Sequence, residues 1–168
     1  MRIAGITSDS IVDGPGIRLT VFTQGCPHHC PGCHNPSSHD PMGGSEMAVE
    51  EILLKIQNNP LLDGVTLSGG EPFAQAGDCA KIAEAAHQRG LNVWTYSGYT
   101  LEHLMAGVDK HPDWKALLDQ TDVLVDGRFI LEQRSLELNF CGSRNQRLID
   151  IHKTKAAGQI VLWQPPVW

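Results

Sequence analysis

The chain has 168 residues, 41% of them hydrophobic, and a formal net charge of −6. This size and composition predict one folded domain, residues 1–168, and exclude disorder as its main state. The acidic balance disfavours nucleic acid as a partner, since proteins that follow phosphates usually carry basic stripes. No apolar run approaches the roughly 18 residues of a membrane-spanning helix, and the first residues lack the pattern of a secretion signal. We therefore expect a cytoplasmic protein without a membrane partner.

Short β-branched and aliphatic runs alternate along the chain with helical patterns. The runs predicted as strands are IRLTVFT, GVTLS, LNVWTY, DVLVD, RLIDI and IVLW. Apolar spacing predicts helices over about 46–58 and 78–89, a short helix capped by Thr100, and another that begins at Pro112. This rhythm favours an α/β fold with a mostly parallel sheet.

The length of the chain limits the architecture. A complete eight-unit (βα) barrel takes about 250 residues, so this chain supplies only about five or six units. If the sheet curls, it forms a partial, laterally open barrel. A flat, doubly wound sheet is the alternative that composition and periodicity alone favour.

Polar and glycine-rich elements follow the predicted strands. Cysteines follow LTVFT, Ser68 to Glu71 follow GVTL, Ser97 follows NVWTY, and Asp126 follows VLV. In parallel α/β architectures ligands bind at the carboxyl ends of the strands. We therefore expect these elements to share one site.

The cysteine loop, GCPHHCPGCHN at residues 25–35, contains Cys26, Cys30 and Cys33. Structural zinc sites usually draw ligands from two distant segments, and a thioredoxin-like pair would leave Cys26 unused. A four-iron cluster ordinarily takes four cysteines. Three would leave one iron open for the amine and carboxylate of a ligand. The Cys-x3-Cys-x2-Cys spacing favours this last interpretation.

Other candidate residues have simpler expected roles. We expect His28 and His29 to be solvated loop residues, His39 to be a surface group, and His34 to line the site. Cys79 fits the buried face of a helix, whereas the pattern assigns Cys141 no role.

The run GPGIRLTVFTQGCPHHCPGCHN resembles the signature of the glycyl-radical-enzyme activating proteins of the radical S-adenosylmethionine superfamily. LSGGEP resembles the glycine-rich strand end of that superfamily, and VWTYSGYT, VLVDGRF and GSRNQ resemble later blocks of its reductase-activating branch. Gly32 stands where many members have an aromatic residue near the adenine. A proline-glycine pair at that place is usual in the reductase-activating branch.

The resemblance implies a partial, laterally open (βα) barrel of radical S-adenosylmethionine type. It implies that Cys26, Cys30 and Cys33 hold a [4Fe-4S] cluster whose fourth iron binds S-adenosylmethionine. The cofactor-binding residues that it suggests are Gly32, Cys33, His34, Gly69, Gly70, Glu71, Ser97 and Asp126. Ser97 and Asp126 are equally well explained as strand-end caps, and Asn145 and Gln146 as turn residues. For Arg18, pairing with an acid near the site and a surface role remain open.

The implied activity is reductive cleavage of S-adenosylmethionine, followed by formation of a glycyl radical on the anaerobic ribonucleotide reductase catalytic subunit. The resemblance suggests an external one-electron donor such as flavodoxin, because Cys79 and Cys141 have no cysteine neighbours for a second cluster. Three alternatives remain: activation of another glycyl radical enzyme, a compact radical enzyme with a small-molecule substrate, and an electron-transfer module.

Overall fold

The computed structural model describes residues 1–165, and within them seven strands form one sheet in the order β3-β1-β2-β4-β5-β6-β7. The strands are β1 (Arg2–Ser10), β2 (Arg18–Thr23), β3 (Ser45–Glu46), β4 (Gly64–Gly69), β5 (Asn92–Tyr96), β6 (Val123–Asp126) and β7 (Arg147–Asp150). The helices are α1 (Val49–Asn58), α2 (Ala76–Gln88), α3 (Leu101–Gly107), α4 (Pro112–Gln120) and α5 (Ile151–Ala157). Residues 166–168 of the predicted domain lie outside the described part.

The centre of the sheet is parallel and its edges are antiparallel. Strands β2, β4, β5 and β6 pair in parallel, whereas β1 pairs with β2 and β3, and β7 with β6, in antiparallel fashion. The sheet is not closed, and four parallel strands are fewer than the five or six units expected from chain length. The fold is thus mixed α/β, with an open sheet.

The structure differs from the predicted strands at both ends of the chain. The sequence did not indicate β1, because apolar and polar residues alternate only weakly along it. Its pairing with β2 is also irregular. The predicted strand IVLW is wrong within the described residues, because only Leu162 forms a bridge, to Ile149 at the edge strand.

All five helices pack on one face of the sheet. Their apolar side chains share a core with Leu19, Val21, Val65, Leu67 and Leu124 of the parallel strands. A doubly wound sheet has helices on both faces, so this alternative is wrong for the described residues. Successive side chains of a strand point to opposite faces of the sheet, so the residues between these core residues face the side without helices.

The helix-free face combines an aromatic cluster with a buried polar layer. Trp94, Val123 and Val125 are buried there, with Tyr96 and Phe140 packed against them. Arg18 is 0% exposed, and its guanidinium lies 5.7 Å from the centre of the Trp94 ring. The surface role considered for Arg18 is therefore wrong.

The predicted helices are confirmed with small shifts of their ends. Helix α1 begins at Val49 because Ser45 and Glu46 form β3. The Thr100 hydroxyl accepts a hydrogen bond from the His103 N–H and caps α3, while α4 begins at Pro112. No helix within residues 1–165 has the length and apolar character required to cross a bilayer.

Candidate functional site

A cavity of about 390 Å³ opens at the carboxyl ends of the parallel strands. The predicted site residues that line it are Cys26, Cys30, Cys33, His34, Gly69, Gly70 and Ser97. The strand-end principle thus brings together groups from the loops after β2, β4 and β5. Gly32 is exposed beside the cavity, and Glu71 and Asp126 are buried behind its wall.

Backbone hydrogen bonds shape the cysteine loop. The Gly25 N–H donates to the Ser38 carbonyl at 2.7 Å, and the Cys26 N–H donates to the His39 carbonyl at 3.1 Å. The Cys33 N–H closes a turn to the Cys30 carbonyl. Gly32 completes this turn with φ +73°, a conformation that favours glycine.

The environment of Cys26 favours the neutral thiol over a free thiolate. Burial raises the pKa of the Cys26 thiol, and the negative charge of Glu71 raises it further, although the N–H of His28 opposes the change. A bound cation offsets both effects because it stabilises the thiolate directly.

Gly69 and Gly70 form a close backbone approach between β4 and the cysteine loop. Gly69 has φ +91°, and a side chain there would collide with the backbone of Phe22 and Thr23. A side chain at Gly70 would meet the carbonyl of Gly25. The Gly70 N–H donates to the Thr23 carbonyl at 2.7 Å. Because a side chain would not fit at either position, the two glycines allow the backbones of β4 and the cysteine loop to approach closely in this part of the cavity wall.

The Glu71 carboxylate connects the loops that follow three neighbouring strands. It accepts hydrogen bonds from Ser97 Oγ at 2.9 Å, from the Gly98 N–H at 2.8 Å and from the Phe73 N–H at 3.0 Å. His28 Nε2 lies 2.7 Å from Glu71 Oε1. These contacts give Glu71 a structural role, and its direct contact with a cofactor stays a prediction.

Asp126 has a similar structural environment. Its carboxylate pairs with Arg147 at 2.6 Å and accepts a hydrogen bond from the Leu101 N–H at the start of α3. The hydrogen bonds that Arg147 donates to Asp126 and Glu102 raise the pKa of Arg147. The cap considered for Asp126 is therefore present, whereas contact with a cofactor stays a prediction.

Three expectations about single residues need correction. The His28 side chain is only 3% exposed and is not a solvated loop residue, because it reaches Glu71 across the loop. His39 is only partly exposed, lines the cavity, and has a buried Nε2 atom. Arg18 pairs with no acid among residues 1–165. It donates instead to Thr66 Oγ1 and to the Val65 carbonyl.

Several lining residues were not predicted as site residues. They include Val12, Asp13, Ser38, Phe129, Phe140 and Cys141. Gln146, one of the open cases, also lines the cavity, and its Oε1 accepts hydrogen bonds from the Gly142 and Ser143 N–H groups. The position of Tyr96 at a strand end was a usable signal, whereas Cys141 lies on an irregular loop that gives none.

Comparison with known proteins identifies the family. Residues 12–149 match the family model described as a 4Fe-4S single cluster domain. The anaerobic ribonucleoside-triphosphate reductase-activating protein of Escherichia coli K12 is 34% identical over 144 residues, which are 81% of this chain and 90% of the relative. Its counterpart from Vibrio cholerae is 35% identical, over 81% of this chain and 89% of the relative.

The chain belongs to the family of anaerobic ribonucleoside-triphosphate reductase-activating proteins. A second group of relatives has the same kind of name: the pyruvate formate-lyase 1-activating enzyme of Escherichia coli K12 is 31% identical over 96% of this chain and 65% of the relative. These activating proteins are radical S-adenosylmethionine enzymes, and the cofactors of the family are a [4Fe-4S] cluster and S-adenosylmethionine.

The described residues fit these cofactors. Cys26, Cys30 and Cys33 line one cavity and offer three thiolates, which suits a cube with one open iron. Within residues 1–165 no three ligand side chains converge on a single-ion position, and in a cube each thiolate binds a different iron. The glycine wall at Gly69 and Gly70 leaves space for a ligand beside the cysteines.

Proposed function

We propose that this chain cleaves S-adenosylmethionine reductively at a [4Fe-4S] cluster and generates a glycyl radical on the catalytic subunit of anaerobic ribonucleotide reductase. The observation that carries the proposal is the cavity in which three cysteines of one loop meet the carboxyl ends of β2, β4 and β5. The length of the match, 90% of a reductase-activating relative, supports this partner.

The proposed site would hold a cluster and a sulfonium cofactor. A reduced cluster bound there would supply the one electron that cleavage of S-adenosylmethionine to methionine and a 5′-deoxyadenosyl radical requires. Cys26, Cys30 and Cys33 would hold three irons, and the thin wall at Gly69 and Gly70 would let the methionyl end approach the backbone. The protein contributes binding, orientation and the exclusion of competing reactions.

Aromatic side chains form part of the cavity wall. Tyr96, Phe129 and Phe140 line the cavity, and the Tyr96 hydroxyl donates to the Phe140 carbonyl at 2.6 Å. Burial raises the pKa of Tyr96, so its hydroxyl remains a neutral hydrogen-bond donor. We infer that this wall limits the access of water to a reactive radical.

We further propose that the sheet is a partial (βα) barrel of radical S-adenosylmethionine type. One-sided helices and an open sheet support this architecture. An open side suits a polypeptide loop as substrate, since a closed wall would obstruct it. Direct cofactor contacts by Gly32, Cys33, His34, Gly69, Gly70, Ser97, Glu71 and Asp126 belong to the same proposal.

The remaining partners follow from the activity. We propose an external one-electron donor such as flavodoxin, a cytoplasmic location, and no nucleic-acid partner, in keeping with the net charge of −6. Pyruvate formate-lyase is the second candidate substrate, because its activating enzyme aligns with 96% of this chain. The match covers only 65% of that enzyme, which favours the reductase.

Anaerobic incubation with reductant, S-adenosylmethionine and the reductase subunit tests this function. We expect formation of 5′-deoxyadenosine and a glycyl radical doublet in electron paramagnetic resonance. Parallel reactions with pyruvate formate-lyase in place of the reductase should give no doublet. A doublet on pyruvate formate-lyase alone would transfer the assignment to the second candidate.

The cysteine assignment has a matched control. Cys30→Ala should lose the cluster absorbance and cofactor cleavage together, because one iron loses its ligand. Cys79→Ala removes a thiol that is 0% exposed in the helical core and should keep both. Full cleavage by Cys30→Ala would contradict the ligand assignment.

A further inference from the structure

The contact between His28 and Glu71 joins the cysteine loop to the strand ends. His28 lies between Cys26 and Cys30, and Glu71 follows the glycine pair after β4. Their side chains are 3% and 0% exposed, and the His28 Nε2 and Glu71 Oε1 atoms are 2.7 Å apart. A hydrogen bond to a buried carboxylate is among the stronger polar contacts in proteins.

The ring of His28 is also fixed by packing. It meets the Tyr99 ring edge-on, with 4.5 Å between the ring centres. On another side it lies against Gly98, where any side chain would collide with the ring. The Gly98 N–H itself donates to Glu71 Oε1 at 2.8 Å. The ring therefore fits a slot formed by the loop after β5.

Glu71 is held by contacts other than the one to His28. Ser97 Oγ donates to both carboxylate oxygens, and the Phe73 N–H donates to Oε2. The Glu71 N–H donates to the Gly25 carbonyl, one residue before the first cysteine. The carboxylate is thus a fixed acceptor for the middle of the cysteine loop. Among the side chains of residues 26–33, only that of His28 bonds to it.

We propose that His28 is a positioning residue that fixes the cysteine loop relative to the S-adenosylmethionine pocket. The inference rests on the proposed function and deepens it. The three cysteines suffice to hold the cluster, whereas His28 sets where the open iron faces relative to Gly69, Gly70 and Ser97. Residues that orient metal ligands typically change affinity or activity by about tenfold or more when they are lost.

The test uses anaerobic protein with a reconstituted cluster and three variants. His28→Phe keeps a ring against Tyr99 but loses the bond to Glu71, and His28→Gln keeps a donor. His29→Phe is the matched control, because His29 is exposed and its side chain makes no hydrogen bond within residues 1–165. The readouts are iron content and the S-adenosylmethionine concentration that half-converts the paramagnetic resonance signal of the reduced cluster.

We expect His28→Phe to keep its iron while the half-converting concentration rises about tenfold. His28→Gln should recover part of this loss, and His29→Phe should match the wild type. Equal cofactor dependence of His28→Phe and His29→Phe would overturn the proposal. Loss of iron by both His28 variants would also overturn it, since His28 would then serve cluster retention. A wild-type cluster that does not respond to S-adenosylmethionine would overturn the proposed function as well.

Discussion

At the scale of single residues, the cavity contains one more cysteine than the proposed cluster uses. Cys141 lines it together with Cys26, Cys30 and Cys33. Burial raises the pKa of the Cys141 thiol, as it raises that of Cys26, so the distance of Cys141 from the cysteine loop in sequence, and not its pKa, separates it from the proposed ligands. The proposed fourth iron position also belongs to S-adenosylmethionine.

Cys141→Ser should therefore keep the full iron content of the wild type after anaerobic reconstitution. Iron and sulfide analysis checks this, with Cys30→Ala as the comparison that loses iron. If Cys141→Ser lost iron to a similar extent, Cys141 would be a fourth ligand. The fourth iron would then have no open position before S-adenosylmethionine binds.

Gly69→Ala should destabilise the protein by about 2 kcal/mol or more. Its φ of +91° is costly for a residue with a side chain, by about 1–2 kcal/mol, and the added methyl group collides with the backbone of Phe22 and Thr23. Thermal unfolding followed by circular dichroism measures the change. Gly5→Ala is the control, since nothing lies within 4 Å of an added methyl group there, and a change within about 0.5 kcal/mol is expected. Equal melting temperatures for the two variants would contradict this account.

Local spacing predicted the cysteine ligands but not the side chains behind them. Cys26, Cys30 and Cys33 follow a short pattern within one loop, so the sequence alone indicated them. His28 contacts Glu71 across 43 positions of sequence, and such a contact leaves no periodic signal. For the same reason the structural role of Glu71 emerged only from its tertiary partners, whereas a cap at Asp126 was among the expectations from sequence.

At the scale of elements, the parallel strands carry a buried polar layer on the face without helices. Arg18 of β2 donates to Thr66 Oγ1 at 2.7 Å and to the carbonyls of Pro15 and Val65 at 2.9 and 3.0 Å. Burial lowers the pKa of Arg18 to about 10, so the guanidinium stays charged at neutral pH. This side chain links β2, β4 and the loop between β1 and β2.

Arg18→Ala should lower the free energy of unfolding by about 3 kcal/mol, because it leaves buried acceptors without a donor. Urea unfolding measures the loss. Arg144→Ala removes the side chain of an exposed arginine and should change stability by less than about 0.5 kcal/mol. Unchanged stability of Arg18→Ala would show that water replaces the guanidinium at no cost.

Element type was predictable where apolar periodicity was strong. Helices α2 and α4 and strands β4 to β6 have clear patterns and clear end signals, such as Pro112 and Gly90. Strand β1 was missed because many of its residues are polar or exposed, and β3 because it has only two residues. These two antiparallel strands depend on pairing with β2 and with each other, which the local sequence does not encode.

At the scale of the whole molecule, the two ends of the parallel strands carry different groups of residues. The carboxyl ends form the cavity, and the amino ends carry a charged cluster around Asp122 just before β6. Its carboxylate lies 2.8 Å from His87 Nε2 of α2, 2.5 Å from His152 Nε2 of α5, and 2.7 Å from the Val93 N–H of β5. One side chain thus connects two helices with strand β5.

The pKa values of this cluster predict a pH window for stability. Burial opposes protonation of His87, but hydrogen bonds with Asp122 and Gln120 outweigh it and raise the pKa. Burial also opposes ionisation of Asp122, but the hydrogen bonds from His152 and His87 lower its pKa. The contribution of His87 is complete below the ordinary histidine pKa of about 6.5 and is lost as the pH rises through the raised value. That of Asp122 is lost as the pH falls below about 3.9.

Asp122→Asn should therefore cost about 1–2 kcal/mol near pH 6 and less as the pH rises through the raised pKa of His87. Thermal melts of the wild type and the variant at several pH values measure the difference. Asp109→Asn is the control, because Asp109 is exposed and far along the chain from both histidines. A difference that grows toward pH 9 would contradict the assignment. Iron content should not change, since the proposed cluster site lies at the opposite ends of the parallel strands.

The general architecture was predictable, but its extent was not. Alternating strands and helices indicated an α/β fold and a site at the strand ends. The one-sided arrangement of helices could not be derived from periodicity, because buried parallel strands have apolar residues on both faces in doubly wound sheets as well. Here Arg18 and Thr66 are the sequence features that mark the helix-free face, and their burial is visible only in the folded chain.

The bonds that shape the cysteine loop are made between protein groups: Gly25 to Ser38, Cys26 to His39, and His28 to Glu71. Zinc fingers, by contrast, fold only when metal enters. Here the hydrophobic core is built by helices and strands and includes none of the three cysteines of the loop. Iron chelation should therefore remove the absorbance of the cluster while the far-ultraviolet circular dichroism signal of the protein persists. During maturation the cluster should enter a site that the folded chain has already formed. A chain damaged by oxygen would then be repairable by cluster insertion alone, without a cycle of unfolding and refolding.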